Sequence, residues 1–167
     1  MTEDDWDVLH KWNSDPEVLY YADGNADGYS LEMVKRIYRG VCKNAFCFII
    51  EYKEQPIGEC YLQKMNLERI LDKMPGKDLR RIDIMIGEKE SWGKGLGTEA
   101  VRMLVEFGFE KERTDAIFGC DVGDYNVRSI GMFKSMGFKI HSEIEEKSTG
   151  GSLAFDMVLT SEMYQRK

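Results

Sequence analysis

The chain has 167 residues, with 23 Lys+Arg against 30 Asp+Glu for a net charge of −7, and 43% hydrophobic against 32% charged residues. That length and balance suit one globular domain, residues 1–167, with apolar side chains enough for one packed core, and they exclude a disordered or collagen-like chain. The acidic balance argues against a grip on phosphate backbones, so nucleic acid is not expected as a partner, and it favours cationic small molecules or peptides.

Thr2 followed by Glu3, Asp4 and Asp5 marks a helix start, and Trp6, Leu9 and Trp12 recur at helical spacing, so a first helix of about 12 residues is expected. Ala22–Tyr29 reads as a surface loop. Ser30 caps a second helix whose apolar stripe is Leu31, Val34, Ile37 and Tyr38, ended by Gly40. Phe46–Tyr52 and Pro56–Met65, joined by the polar turn Lys53–Gln55, predict an antiparallel hairpin, and Asn66–Asp78 a second surface loop. In Arg80–Gly87, Ile82, Ile84 and Ile86 alternate with Asp83 and Met85, a strand with one polar-capable face. Leu96, Ala100, Leu104 and Phe107 then space a helix of roughly 14 residues. A strand Ala116–Val122, a helix Asn126–Met136 ended by Gly137, and strands Phe138–Ile144 and Leu153–Thr160 complete the chain. The strand-helix-strand run over 80 to 122 is long enough for a parallel crossover in an otherwise antiparallel sheet, which makes the fold class mixed α+β.

No apolar run approaches the roughly 20 residues that span a bilayer, and the first residues lack a signal-peptide layout, so a cytoplasmic chain without a membrane partner is expected. Cys42, Cys47, Cys60 and Cys120 form no CxxC, and His10 and His141 lie far from them. No metal is expected; the cysteines read as reduced, packed thiols.

Chemistry concentrates in Glu90-Ser91-Trp92-Gly93-Lys94-Gly95-Leu96-Gly97-Thr98, three alternate glycines between a strand and a helix. Such a turn lets the backbone approach a ligand and aims the amides of the helix start at an anion, a pyrophosphate for example; a plain strand-to-helix turn is the alternative. It is not a P-loop, because no Lys-Ser/Thr follows a GxxxxG spacing. With this turn, Asn126-Val127-Arg128-Ser129-Ile130, Phe133 and Gly137-Phe138, the sequence resembles the GCN5-related N-acetyltransferases (GNAT) at both of their coenzyme motifs, with Trp92 where Arg or Gln is usual. It is similar, within that family, to the aminoglycoside 6'-N-acetyltransferases through His10-x-Trp12, Val18-x-x-Tyr21, Ile49–Tyr52, Pro56-Ile57-Gly58, Ile82-Asp83 and Ile86-Gly87-Glu88.

The resemblance implies a mixed, mostly antiparallel sheet with helices on both faces and a V-shaped splay between parallel strands 80 to 87 and 116 to 122. It implies acetyl-CoA as co-substrate, held by Ile84, Met85, Ile86, Gly93, Lys94, Gly95, Leu96, Gly97, Thr98, Asn126, Ser129 and Phe133. The family's first strand is expected before Met1–Asp5, so either the protein is shorter by one edge strand or its start is assigned late, and the family's general-acid Tyr is Phe133 here. Asp83 and Asp121 stand where the subfamily carries acidic residues facing the acceptor, Asp83 as candidate base and Asp121 as cation binder. A strand-surface role for Asp83 and a turn-capping role for Asp121 are the plain alternatives. Tyr20, Tyr21, Asp23 and Asp27 read either as a substrate-binding lid or as a solvated loop. Glu143, Glu145 and Glu146 read as a charged strand end or as substrate contacts. The implied activity is acetyl transfer to a cationic amine acceptor, first an aminoglycoside, by a monomer or homodimer. An Nα-acetyltransferase of peptide termini and an idle coenzyme A-binding module are the competing readings.

Overall fold

The computed structural model describes residues 1–24, 27–145 and 153–165. A capping box opens it: Thr2 accepts from the Asp4 amide while the Asp5 carboxylate accepts from the Thr2 amide, and the turn Glu3–Asp5 runs into α1 (Trp6–Asn13). The loop expected from Ala22 begins later, because a further helix, α2 (Pro16–Asp23), precedes it. Asp15 accepts from the Glu17 and Val18 amides at 2.9 and 3.3 Å, Pro16 takes the first helical position, and Gly24 at φ +66° closes the helix. Ser30 caps α3 (Leu31–Val41), as its spacing predicts.

β1 (Ala45–Tyr52) and β2 (Gln55–Lys64) follow, with Lys53 and Glu54 both at positive φ between them. The second expected loop contains one helical turn, α4 (Glu68–Leu71), whose Ile70 is fully buried. Next come β3 (Leu79–Ile86), α5 (Leu96–Glu106), β4 (Ala116–Gly123), α6 (Val127–Ser135), β5 (Lys139–Glu145), β6 (Leu153–Thr160) and a short α7 (Ser161–Gln165). α5 is shorter than its spacing predicts because residues Phe107–Lys111 open into a π-turn, where Gly108 is buried and a Cβ would lie 2.7 Å from the Ile117 side chain.

Among the described residues six strands form one mixed sheet in the order β1-β2-β3-β4-β6-β5. β3 and β4 run parallel, from Leu79 opposite Ala116 to Ile82 opposite Gly119, as the crossover reading requires. β6 is antiparallel to β4 and to β5, with register shifts between Gly119 and Val122 and between Ile140 and Ser142.

Packing divides the chain into two compact units, Met1–Tyr61 with Ile84–Val101, and Leu62–Asp83 with Arg102–Lys167. The first is built on Leu9, Trp12, Val18, Val34, Tyr38 and Met85. The second is built on Met65, Ile70, Leu79, Ala116 and Phe118. β3 is a central strand with buried apolar side chains on both faces, Ile82 on one and Met85 on the other, and the face of Met85 also carries the half-buried pair Arg81 and Asp83, as the alternation predicts. The cysteines differ from the packed-thiol reading at one position, since Cys60 is buried but Cys42 is exposed.

Candidate active site

The glycine turn belongs to the first unit. β3 ends at Ile86, and Gly87 follows with the Trp12 ring against it: a Cβ there would lie 2.0 Å from Trp12 Cγ. Glu88 then accepts from Trp12 Nε1 at 2.8 Å and from Lys11 Nζ at 2.5 Å. Burial pushes its carboxyl up, and these two donors outweigh it and hold the group below its usual range. Trp92, standing where the family carries Arg or Gln, donates its indole N–H to the Ile86 carbonyl at 2.7 Å and packs edge-on against Tyr21 at 5.7 Å. It thereby staples the turn to the end of β3 and to α2.

Gly93 and Gly95 adopt φ +73° and +78°, and they and Lys94 are exposed. A side chain at either glycine would find open space, so it is the left-handed backbone that calls for glycine there. Gly97 differs. A Cβ at Gly97 would make ordinary contact with Ile86 at 3.5 Å and Ile84 at 3.9 Å. The first intrahelical bond of α5 runs from the Glu99 amide to the Gly95 carbonyl at 3.0 Å, so the amides of Leu96, Gly97 and Thr98 have no carbonyl one turn earlier in the helix and suit an anionic group.

Tyr20 and Tyr21 lie on α2, not in a loop, with their rings 5.2 Å apart. The helix forms because Asp15 and Pro16 give it a cap and a first position. The Asp23 side chain and Glu146 lie outside the described residues; Glu143 and Glu145 are exposed on β5.

Asp83 and Asp121 fall in the second unit, where the Cys120 thiol feels both, together with Asp156 and Arg81. Burial is the main influence on that thiol and pushes it up. Both oxygens of Asp83 accept from Arg81, Nε at 2.9 Å and Nη2 at 2.8 Å. Asp121 sits in the β4 register shift at φ +53°, its side chain about half exposed at 49%, and its Oδ1 accepts from Arg69 Nη2 at 2.7 Å. Arg69 also donates twice to Asp156, at 3.0 and 2.9 Å, and Asp156 is fully buried. Asp156 further accepts from the Ser142 hydroxyl at 2.9 Å and the Asp121 amide at 3.3 Å. Burial pushes its carboxyl up, yet these donors prevail and hold it below its usual range. Beside them His141 packs edge-on against Phe118 at 5.3 Å, its Nε2 buried without a hydrogen-bond partner among the described residues, and burial lowers its affinity for a proton.

Arg69 and Asp156 are absent from the sequence reading. Arg69 lies in a stretch without periodicity. Asp156, a lone carboxylate inside the apolar strand Leu153–Thr160, was a legible sign of a buried charge in need of a partner.

In α6 the Asn126 side chain accepts from the Ser129 amide at 3.1 Å, so the Asn-x-x-Ser spacing is that of a helix cap and its third residue. The Phe133 ring, 3% exposed, lies over β4: a Cβ on Gly119 would approach it to 2.5 Å, and Phe138 packs at 5.0 Å.

Residues 1–139 match the acetyltransferase (GNAT) domain, and the chain belongs to that family. It is an acetyltransferase whose co-substrate is acetyl-CoA. It is 28% identical to the uncharacterized N-acetyltransferase p20 of Bacillus licheniformis over 83% of this chain and 76% of that one. Against aminoglycoside N(6')-acetyltransferase type 1 of Klebsiella pneumoniae the identity is 25%, covering 99% and 83%. In fold it matches spermidine N-acetyltransferase from Vibrio cholerae, solved in complex with CoA and spermine, at a TM-score of 0.81 and 16% identity, covering 99% and 95%. Among the described residues no group of three His, Cys, Asp or Glu could hold a metal ion, and no helix is long and apolar enough to cross a membrane.

Proposed function

We propose that this acetyltransferase moves the acetyl group of acetyl-CoA to a primary amine of a polycationic small molecule, with an aminoglycoside as the first candidate. The observation that carries the reading is Asp121, a half-exposed carboxylate backed by a second, buried one, the arrangement an ammonium-bearing acceptor needs. Similarity along almost the whole chain to an aminoglycoside N(6')-acetyltransferase supports the same class.

In this reading the amides of Leu96, Gly97 and Thr98 and the open backbone at Gly93 and Gly95 take the pyrophosphate of the coenzyme, with Lys94 as an exposed cation at the same turn. Ile84 and Ile86 form the apolar wall beside Gly97. Asp83 and Asp121 serve the amine. An ammonium group cannot attack, so a carboxylate accepts its proton, directly or through water. The freed nitrogen pair then forms the C–N bond as the C–S bond of the thioester breaks. Asp83 keeps lone pairs for that proton beyond the two bonds from Arg81. The nitrogen then gives up its second proton to water and the leaving thiolate takes one back from water, because a thiol with a pKa of about 8.5 leaves tolerably at neutral pH. Phe133 has no proton to give, and its burial against Gly119 makes it packing.

Turnover of acetyl-CoA across aminoglycosides, polyamines and peptides with free N-termini tests the reading. Aminoglycosides are expected to give the highest kcat/KM. Preference for peptide termini, or coenzyme binding without turnover of any amine, would overturn it.

A further inference from the structure

We propose that Arg69 is a positioning residue for the acceptor amine, tying one oxygen of Asp121 to the buried Asp156 so that the other oxygen is offered to an ammonium group. The inference rests on the reading of Asp121 as an acceptor-binding carboxylate.

A single guanidinium serves two carboxylates here. Nε and Nη2 of Arg69 reach Asp156 at 3.0 and 2.9 Å, and the same Nη2 reaches Asp121 Oδ1 at 2.7 Å. Asp156 is fully buried, so it cannot turn to solvent, and its remaining bonds come from Ser142 and from the Asp121 amide itself. The pair therefore holds Asp121 twice, by backbone and by side chain, at a residue whose φ of +53° lies in the left-handed region that Asp enters more readily than most residues. Among the described residues Oδ2 of Asp121 accepts no hydrogen bond.

Charge points the same way. Asp121 and Asp156 carry two negative charges against the one positive charge of Arg69. If Arg69 faced Asp121 alone, it would cancel the charge that a cationic substrate needs. With Asp156 behind it, one unit of negative charge is left, and Asp121 is the member that meets solvent. Lysine could neutralise one carboxylate but could not bridge both with this forked geometry. α4 supplies the placement: Ile70 inserts into the core of this unit and sets the neighbouring Arg69 toward β4 and β6.

The test is a double-mutant cycle in the full chain, using Arg69→Lys, Asp121→Asn and the pair, assayed with whichever amine of the panel has the lowest KM. Each single change is expected to raise that KM about 10-fold, the scale of one charge-assisted hydrogen bond, with the acetyl-CoA KM unchanged. The double variant is expected to be no worse than Asp121→Asn alone, because both changes remove one interaction. Asp156→Asn, which keeps the shape of the site, is expected to repeat the KM rise and to lose it in the Asp121→Asn background. It serves as the second probe if Arg69→Lys does not fold. Without any substrate, Arg69→Lys is expected to move the Asp121 carboxyl carbon resonance and leave that of Asp83 in place. Additive KM effects, or an unmoved Asp121 resonance, overturn the proposal while the acceptor reading stands. Wild-type protein that acetylates no amine overturns the acceptor reading and the proposal with it.

Discussion

Asp83 and Asp121 both sit beside a guanidinium, and what lies behind each guanidinium separates them. Arg81 donates to both oxygens of Asp83, while Arg69 is held by the buried Asp156. Asp83→Asn is therefore expected to lower kcat at least about 10-fold in steady-state assays, with coenzyme affinity by calorimetry unchanged. Unaltered turnover would return Asp83 to a strand-surface role. Phe133 is fully packed, so Phe133→Ala is expected to cost about 3–5 kcal/mol in a urea melt, and a change below about 1 kcal/mol would show that the ring is not core. Arg69→Met strands the buried Asp156 charge, and a destabilisation of about 3–5 kcal/mol is expected from the same measurement.

The glycine turn shows at the scale of an element why like residues in one motif are not equivalent. Gly95 needs its left-handed backbone, so Gly95→Ala is expected to lower stability by about 1–2 kcal/mol and to weaken coenzyme binding as well. At Gly97 a methyl group meets only ordinary contacts. Gly97→Ala is thus expected to leave the melting temperature nearly unchanged while acetyl-CoA affinity, read by calorimetry, falls through lost backbone approach. Equal affinity for wild type and Gly97→Ala would remove that glycine from the coenzyme site. α6 carries a similar lesson: Asn126 and Ser129 match the coenzyme motif, and the structure shows that their spacing also builds the helix cap.

For the molecule as a whole, acid sensitivity follows from the buried and paired carboxylates. Asp156 and Glu88 titrate below their ordinary values near 3.8 and 4.5 once folded. A depressed folded pKa gives stability that is fully present above the unfolded value and lost as pH falls through the folded one. Stability measured by denaturant titration is accordingly expected to be level above about pH 5 and to fall below about pH 4. A rise in the midpoint on acidification would contradict it. The acceptor KM is expected to rise with ionic strength, since screening weakens attraction between an exposed Asp121 and a polycation. A flat KM would favour a peptide terminus.

Local signals carried most of this protein. The alternate glycines, the cap at Ser30, the apolar stripes and the parallel crossover were all legible from residue order, because turns, caps and periodicity are properties of neighbours in the chain. α2 carries its cap signal in Asp15-Pro16, but 8 residues are too few to show a helical period. What residue order could not supply was partnership. Arg69, Asp121 and Asp156 are 52 and 35 residues apart along the chain, and only strand register and the turn at α4 bring them together. Sequence by itself determined the fold class and the glycine-rich turn between β3 and α5. Tertiary structure decided which carboxylates share one guanidinium and which of them faces solvent, because that depends on how β4, β6 and the turn at α4 are brought together.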